Sequence, residues 1–144
     1  MILVDANLLM YAVHEQFEAH EASKIWLDER LNGTDAVALP WAALLAFVRL
    51  SASPRVLSRP ITLREATEVV GAWLALPVTW TPEPSDHHAQ VLADLLAGES
   101  KADLVPDAHL AATAIEHGLV LCSTDRDFAR FEGLRWTDPL KRRA

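Results

Sequence analysis

Short apolar runs that alternate with longer amphipathic stretches set the strongest limit on what this chain can fold into. Residues 2–5, Ile-Leu-Val-Asp, form a brief β-branched run closed by an acid, the signature of a buried strand. Similar runs recur at 36–39, 78–81 and 119–122. A short edge strand is expected at 134–136. Between them the spacing predicts helices over 7–13, 18–31, 40–51, 62–76, 85–97 and 107–117. Their punctuation is conventional: Asn32-Gly33 after the second, Pro40 opening the third, Thr62 with Glu65 as a capping box, Ser85 as a cap, Gly98 and Gly118 as stops. Residues 101–105 carry no clear pattern. Strands that alternate with helices imply a parallel sheet covered on both faces.

A chain of 144 residues suits one domain, and a hydrophobic fraction of 51% is enough for a real core. No internal repeat or linker is visible. The single cysteine, Cys122, lies inside the run Leu119–Cys122 and reads as a small buried hydrophobe. One cysteine forms no internal disulfide and no thiolate zinc site. No basic segment precedes the apolar N-terminus. The apolar stretch 36–48 is broken by Pro40 and falls short of the ~20 residues a spanning helix needs. The expectation is a soluble, cytoplasmic protein without a membrane segment.

The net charge of −7 speaks against a nucleic-acid binder when taken alone. Two features weaken that objection. The arginines are grouped, Arg49, Arg55, Arg59 and Arg64 in one segment and Arg126, Arg130 and Arg135 in another, with Lys141-Arg142-Arg143 at the end. Part of the negative charge also falls where a divalent cation would cancel it.

In an open parallel sheet, ligands bind beyond the carboxyl ends of the strands. Asp5 closes the first strand, Asp125 follows the strand 119–122, and Asp107 lies in the first turn of the helix that feeds that strand. Three such carboxylates brought together repel one another unless protonated or neutralised. A hard cation such as Mg²⁺ prefers oxygen ligands of this kind. Asn7 is placed to donate to a carboxylate or a bound water, and Ser123 and Thr124 to orient Asp125, a water or a phosphate oxygen. Each aspartate alone has an ordinary reading, Asp107 as a helix-start residue and Asp125 as a turn former; their joint placement carries the weight. The histidines show no metal-ligand spacing. His109 lies close to Asp107, and surface or helix-end roles are expected for the rest, with His117 at a helix C-terminus. The five tryptophans read as packing residues.

At these positions the chain resembles the PIN-domain ribonucleases, and among them the VapC toxins of bacterial toxin–antitoxin pairs. Ile2-Leu3-Val4-Asp5-Ala6-Asn7 is similar to the family's first acidic motif. Asp107-Ala-His109 through His117-Gly118 is similar to the third, and Ser123-Thr124-Asp125-Arg126-Asp127-Phe128 to the fourth. The tail from Ala129 to Leu140 resembles a subgroup abundant in mycobacteria. The resemblance runs over nearly the whole chain. It implies a three-layer α/β/α PIN-like domain over 1–144, with a central parallel sheet of four to five strands. It implies an endoribonuclease that cuts tRNA or ribosomal RNA, with Mg²⁺ or Mn²⁺ held by Asp5, Asp107 and Asp125 and a metal-activated water attacking the phosphodiester. Asn7, Ser123, Thr124 and Arg126 would support substrate. Homodimerisation and a VapB-type antitoxin, whose tail brings an arginine to the carboxylates, are implied as well.

One departure stands out. The family places a glutamate in the helix after the second strand, and here Phe47 aligns with it. The site would then use three aspartates plus water, or borrow Asp103 or Asp127. That keeps a rival open, a PIN fold that binds RNA or protein with little catalysis. A phosphotransfer domain, the other rival, needs a second aspartate where Asn7 stands or a lysine between Lys101 and Lys141, and has neither.

Overall fold

The computed structural model describes residues 1–141. The basic group Lys141-Arg142-Arg143 therefore falls, for its two arginines, outside the described residues. Five strands form one all-parallel sheet: β1 (Ile2–Val4), β2 (Val37–Ala38), β3 (Thr79–Trp80), β4 (Val120–Cys122) and β5 (Trp136–Thr137). Their spatial order is β3-β2-β1-β4-β5. The chain thus lays strands outward from β1 in one direction, then crosses back and continues on the other side. The point of reversal lies between β1 and β4, where Ile2 pairs with Val120 and Val4 with Cys122.

Six helices cover the sheet among the described residues: α1 (Ala6–Val13), α2 (His20–Leu31), α3 (Trp41–Ser51), α4 (Leu63–Leu74), α5 (His88–Leu96) and α6 (Val105–His117). The two-residue period of the strands sorts side chains into two cores. Val4, Val37, Leu39 and Cys122 face a core built with α1 to α4, which includes Leu8, Leu9, Leu44, Phe47, Val70 and Trp73. Leu3, Ala38 and Leu121 face the opposite core, where Ala108, Ala111 and Ala114 of α6 pack with Phe128 and Phe131. Small residues on α6 let that helix lie close to the sheet. This is the expected three-layer α/β/α architecture. Burial pushes the Cys122 thiol up to about 12, so it behaves as the buried hydrophobe expected.

The helix ends follow local chemistry in most places. The Thr62–Glu65 capping box is formed in full, and Gly118 ends α6 with φ of 67°. Two expectations need correction. Ser85 does not cap α5, which starts at His88 with His87 at its N-cap and no side-chain cap bond. The Ser85 hydroxyl accepts from the His87 N–H and donates to the Glu116 carboxylate instead. The unpatterned stretch resolves into a single 3₁₀ turn, Ala102–Leu104, and α6 begins directly after it at Val105, two residues earlier than the proline suggested. No helix is long and apolar enough to cross a membrane among the described residues.

Candidate active site

The site is assembled at the reversal point of the sheet. Pairing of β1 with β4 continues one step past the strand, because the Asp5 N–H donates to the Cys122 carbonyl at 3.0 Å. Asp5 and Ser123 therefore leave the sheet side by side. The Ser123 hydroxyl, fully buried, donates to Asp5 Oδ2 at 2.7 Å and accepts from the Asp125 N–H at 3.0 Å. Asp5 Oδ1 accepts from the Ala6 N–H at 2.7 Å, which makes it the N-cap of α1. Ser123 is itself pinned, since Trp136 Nε1 donates to its carbonyl at 3.0 Å. One hydroxyl thus ties Asp5 and Asp125 together, reaching 118 residues along the chain from Ser123 to Asp5.

Asn7 behaves differently from expectation. Its amide donates to the hydroxyls of Ser123 at 3.1 Å and Thr124 at 3.0 Å, and to no carboxylate. Its Oδ1 is buried without a partner. Ser123 orients Asp5 more directly than Asp125, and Thr124 lines a separate cavity of about 390 Å³ with Tyr11, Phe17 and Asp138. Arg126, expected beside the substrate, is exposed at the start of the 3₁₀ turn Arg126–Arg130. No hydrogen bond or ion pair holds its side chain among the described residues. The arginine that acts on the acids is Arg130, which pairs with Glu99 at 3.1 Å and Asp127 at 3.5 Å.

Carboxylate oxygens of Asp107, Asp125 and Asp127 come within 4.8 Å of one another. Asp127 belongs to this cluster because Asp125 caps the turn that follows it, accepting from the Asp127 N–H at 2.9 Å. Of the two reserve acids, Asp127 joins the group and Asp103, exposed in the turn before α6, does not. Asp5 stands outside that triplet but within its field. Burial raises its carboxyl above the usual range, against the lowering effect of Ser123 and the Ala6 N–H, and Asp125 raises it further. Asp107 is pushed up to about 6, first by burial, then by the charges of Asp125, Asp5 and Asp127, with Arg130 opposing. A group of acids that resists ionising together is the donor set that a hard divalent cation relieves, and every donor is an oxygen. The residues present fit such an ion.

The missing glutamate has a structural answer that alignment alone did not supply. Phe47 is not at the site. It is fully buried, 6.0 Å from the His14 ring and 4.9 Å from Trp73, on the face of α3 turned to the core. The face of α3 turned to Asp5 and Asp107 carries Ala42, Ala43 and Ala46, which line a cavity of about 370 Å³ together with Val105, Pro106 and His109. The acid is absent because that face is made of alanine.

A second group of polar residues adjoins the cavity. His109 Nδ1 lies 2.9 Å from His88 Nε2, and His88 Nδ1 lies 2.6 Å from the Glu116 carboxylate. The connection between α5 and α6 was not legible as a long-range contact. A signal was present, since His109 and Glu116 stand seven residues apart on α6, on one stripe of a helix otherwise rich in Ala and Leu. His14, expected at the surface or a helix end, is a helix C-cap but buried, bonded to the Ser51 hydroxyl at 2.8 Å. His117 ends α6 as expected and bonds the Glu83 carbonyl.

A parallel sheet with carboxylates gathered at its reversal point defines a class of oxygen-donor sites suited to a hard divalent cation. Comparison with known proteins narrows the class. The PIN-domain family model matches residues 2–134. The chain is 46% identical to Ribonuclease VapC37 of Mycobacterium tuberculosis, with 96% of this chain and 97% of the relative covered. Two solved structures share the fold. One is VapC20 of Mycobacterium tuberculosis, described as a sarcin-ricin loop cleaving toxin, with a TM-score of 0.68, 18% identity and 94% and 99% of the two chains covered. The other is VapBC2 from Rickettsia felis bound to a DNA fragment from its promoter, with a TM-score of 0.64, 16% identity and 95% and 98% covered. The protein belongs to the PIN-domain family and, within it, to the VapC ribonucleases.

Proposed function

We propose that this protein is the toxin of a toxin–antitoxin pair, an endoribonuclease that depends on Mg²⁺ or Mn²⁺ and cuts tRNA or ribosomal RNA. The observation that carries the reading is the gathering of carboxylates beyond the ends of β1 and β4, where carboxylate oxygens of Asp107, Asp125 and Asp127 lie within 4.8 Å of one another and Asp107 is pushed up to about 6, first by burial and then by its acidic neighbours. Asp5, Asp107 and Asp125 are the metal-holding and catalytic residues of this proposal, with Asp127 as a fourth oxygen donor. A divalent ion supplies, when bound, an activated water and a counter-charge for the phosphate. The chain's own part is positional. Ser123 fixes Asp5 against Asp125, Asn7 fixes Ser123, and Thr124 is fixed with it. Arg130 stands as the cation nearest the cluster, tethered by Glu99 and Asp127.

The partner reading rests on a different surface. Trp41 and Leu45, one turn apart on α3, and Val105 at the start of α6 are exposed apolar side chains at 46%, 61% and 45%. Val105 lines the cavity that contains Asp5 and Asp107, and Trp41 and Leu45 adjoin in sequence its Ala42 and Ala46, so a basic antitoxin tail would find both apolar and acidic contacts there. A VapB-type antitoxin and a homodimer are the partners inferred, in a cytoplasmic setting.

Purified tRNA and ribosomal RNA incubated with the full chain and Mg²⁺ or Mn²⁺ test the reading. Discrete fragments are expected from the wild type. A chelator, Asp5→Ala and Asp125→Ala should each reduce cleavage by roughly a hundredfold or more. Equal cleavage by wild type and variants would assign the activity to a contaminant. Binding of RNA without cleavage would favour the non-catalytic PIN-fold module, to which the alanine face of α3 already lends some weight.

A further inference from the structure

We infer that the cavity bounded by Tyr11, Phe17, Glu18, Thr124 and Asp138 is a base-recognition site that takes a guanine flanking the scissile phosphate. This rests on the ribonuclease reading above and adds sequence preference, which the carboxylate cluster alone does not supply. The cavity lies where β4 and β5 end. Their pairing runs one step past β4, because the Ser123 N–H donates to the Thr137 carbonyl at 3.1 Å. Thr124 and Asp138 therefore leave the sheet as neighbours, as Asp5 and Ser123 do one strand over. Tyr11 of α1 and Phe17, Glu18 and Ala19 of the link to α2 close the other side. The volume of about 390 Å³ suits a small flat ligand. Thr124 immediately precedes Asp125, so the cavity adjoins the proposed metal donors. An RNA whose phosphate meets those acids carries a flanking nucleotide to within reach of it.

The walls select the nucleotide's base. The rings of Tyr11 and Phe17 are half-buried and meet edge to face, with centroids 5.1 Å apart. They give the cavity an aromatic wall of the kind on which splayed RNA bases stack. Asp138 is oriented by its own turn: Oδ1 accepts from the Leu140 N–H at 2.9 Å, and Oδ2 has no partner among the described residues. Glu18, exposed, adds a second carboxylate. The Thr124 hydroxyl accepts from the Asn7 amide at 3.0 Å, so its own hydrogen is free to be donated. No lysine or arginine lines the cavity among the described residues. Such walls repel a phosphate and attract N–H donors. Guanine alone among the four RNA bases presents a carbonyl beside two N–H donors on one edge, O6 beside N1–H and the 2-amino group. The carbonyl suits Thr124 and the donors suit the carboxylates. Adenine, cytosine and uracil each turn an acceptor towards a carboxylate. A guanidinium from a protein partner offers the donor pair but no acceptor for the Thr124 hydrogen.

The test uses the full chain with Mn²⁺ and RNA oligonucleotides that span a cleavage site mapped on tRNA or ribosomal RNA. A guanine is expected within about two nucleotides of the cut, the reach of a neighbouring cavity. Its replacement by inosine, which deletes only the 2-amino donor, should lower kcat/KM of wild type by roughly tenfold, the effect of one hydrogen bond to a charged acceptor. Asp138→Asn keeps an oxygen for the Leu140 N–H and so keeps the turn, but sets an amide where the second carboxylate oxygen stood. It should cleave the guanine substrate more slowly and no longer distinguish inosine. Glu18→Gln, at an exposed position, should reduce the discrimination by a smaller factor. Fluorescence anisotropy with the same oligonucleotides and no metal reads the cavity without cleavage, and wild type should bind the guanine version more tightly than the inosine version. The inference is overturned if the cut has no flanking guanine, or if inosine slows wild type and Asp138→Asn by the same factor or slows neither. Loss of VapB-type antitoxin affinity in Asp138→Asn, with inosine without effect, would assign the cavity to an arginine of that partner instead. Preference for guanine in binding, with no RNA cleaved, would remove the nuclease reading and leave the base site; cleavage without any such preference would do the reverse.

Discussion

At the scale of single residues, Asp107 is where the proposed metal-holding role and stability oppose each other. Its carboxyl is raised from 3.8 to about 6, so the folded chain holds that proton more tightly than the unfolded chain does. The fold is favoured where the group is protonated, and this contribution is lost as pH rises from about 4 through about 6. The side chain is partly solvated, so screening leaves an effect of about 1 kcal/mol. Asp107→Asn removes the repulsion. Without metal it should melt about 3 °C above wild type at neutral pH, with the gap closing towards pH 4. Mn²⁺ should raise the melting point of wild type and leave the variant unchanged. Thermal unfolding across pH, with and without Mn²⁺, checks both statements; a variant less stable than wild type at neutral pH without metal would refute them. Asp5, Asp107 and Asp125 were legible in the sequence because each sits at a strand end or a helix start, positions that local pattern fixes. Asp127 was legible only as a reserve, since its place depends on how Asp125 caps a turn. Arg130 was hidden among other arginines, because its role comes from the distant Glu99.

At the scale of elements, α3 shows how far a one-residue shift in helical phase misleads. Alignment put Phe47 at the site, and 3.6 residues per turn places it a hundred degrees round from Ala46, in the core beside Trp73. The two positions should respond in opposite ways to the same substitution. Phe47→Glu buries a carboxylate and leaves a hole where the ring was, at about 4 kcal/mol or more, enough to unfold much of the protein. Ala46→Glu, half-buried and facing the cavity, should keep the fold and tighten Mn²⁺ binding several-fold by adding an oxygen ligand. Circular dichroism and titration calorimetry read the two results; a folded, tighter-binding Phe47→Glu would mean that the helix is rotated. Element existence was otherwise well marked, and ends followed caps where side chains act locally, as at Thr62 and Glu65. The end that failed was Ser85, whose hydroxyl is drawn away by Glu116 on another helix. Gly118 is a simpler case. Its φ of 67° lies in the left-handed region, and a Cβ there would meet nothing within 4 Å. Gly118→Ala should therefore cost about 1 kcal/mol through backbone conformation alone, with Gly118→Asn milder, measured by urea unfolding.

At the scale of the whole molecule, the strand order β3-β2-β1-β4-β5 explains why acids so distant in sequence converge. Reversal between β1 and β4 leaves a crevice with no connecting helix across it, and the residues that leave those strands must line it. The alternation of elements implied a parallel sheet with acids at its strand ends, but the convergence hung on β1 and β4 being neighbours, which the sequence pattern does not fix and the strand order supplies. What alternation does not reveal is which outer face meets a partner. Trp41 and Leu45 are exposed on α3, yet Ala43, Leu44 and Phe47 of the same helix are in the core. A helix apolar on both sides contributes more than packing needs, and the molecule's net charge of −7 sets the partner's character as basic. Leu45→Glu adds a charge to that face without touching the core. Its melting point should stay within about 0.5 kcal/mol of wild-type stability, and RNA cleavage should persist. Affinity for a VapB-type antitoxin should fall about tenfold or more, since a central apolar contact is lost and a carboxylate would have to be desolvated in its place. Calorimetric titration of the purified pair measures it. Unchanged affinity, with Trp41→Ala also silent, would move the partner surface away from α3 while leaving the catalytic reading intact.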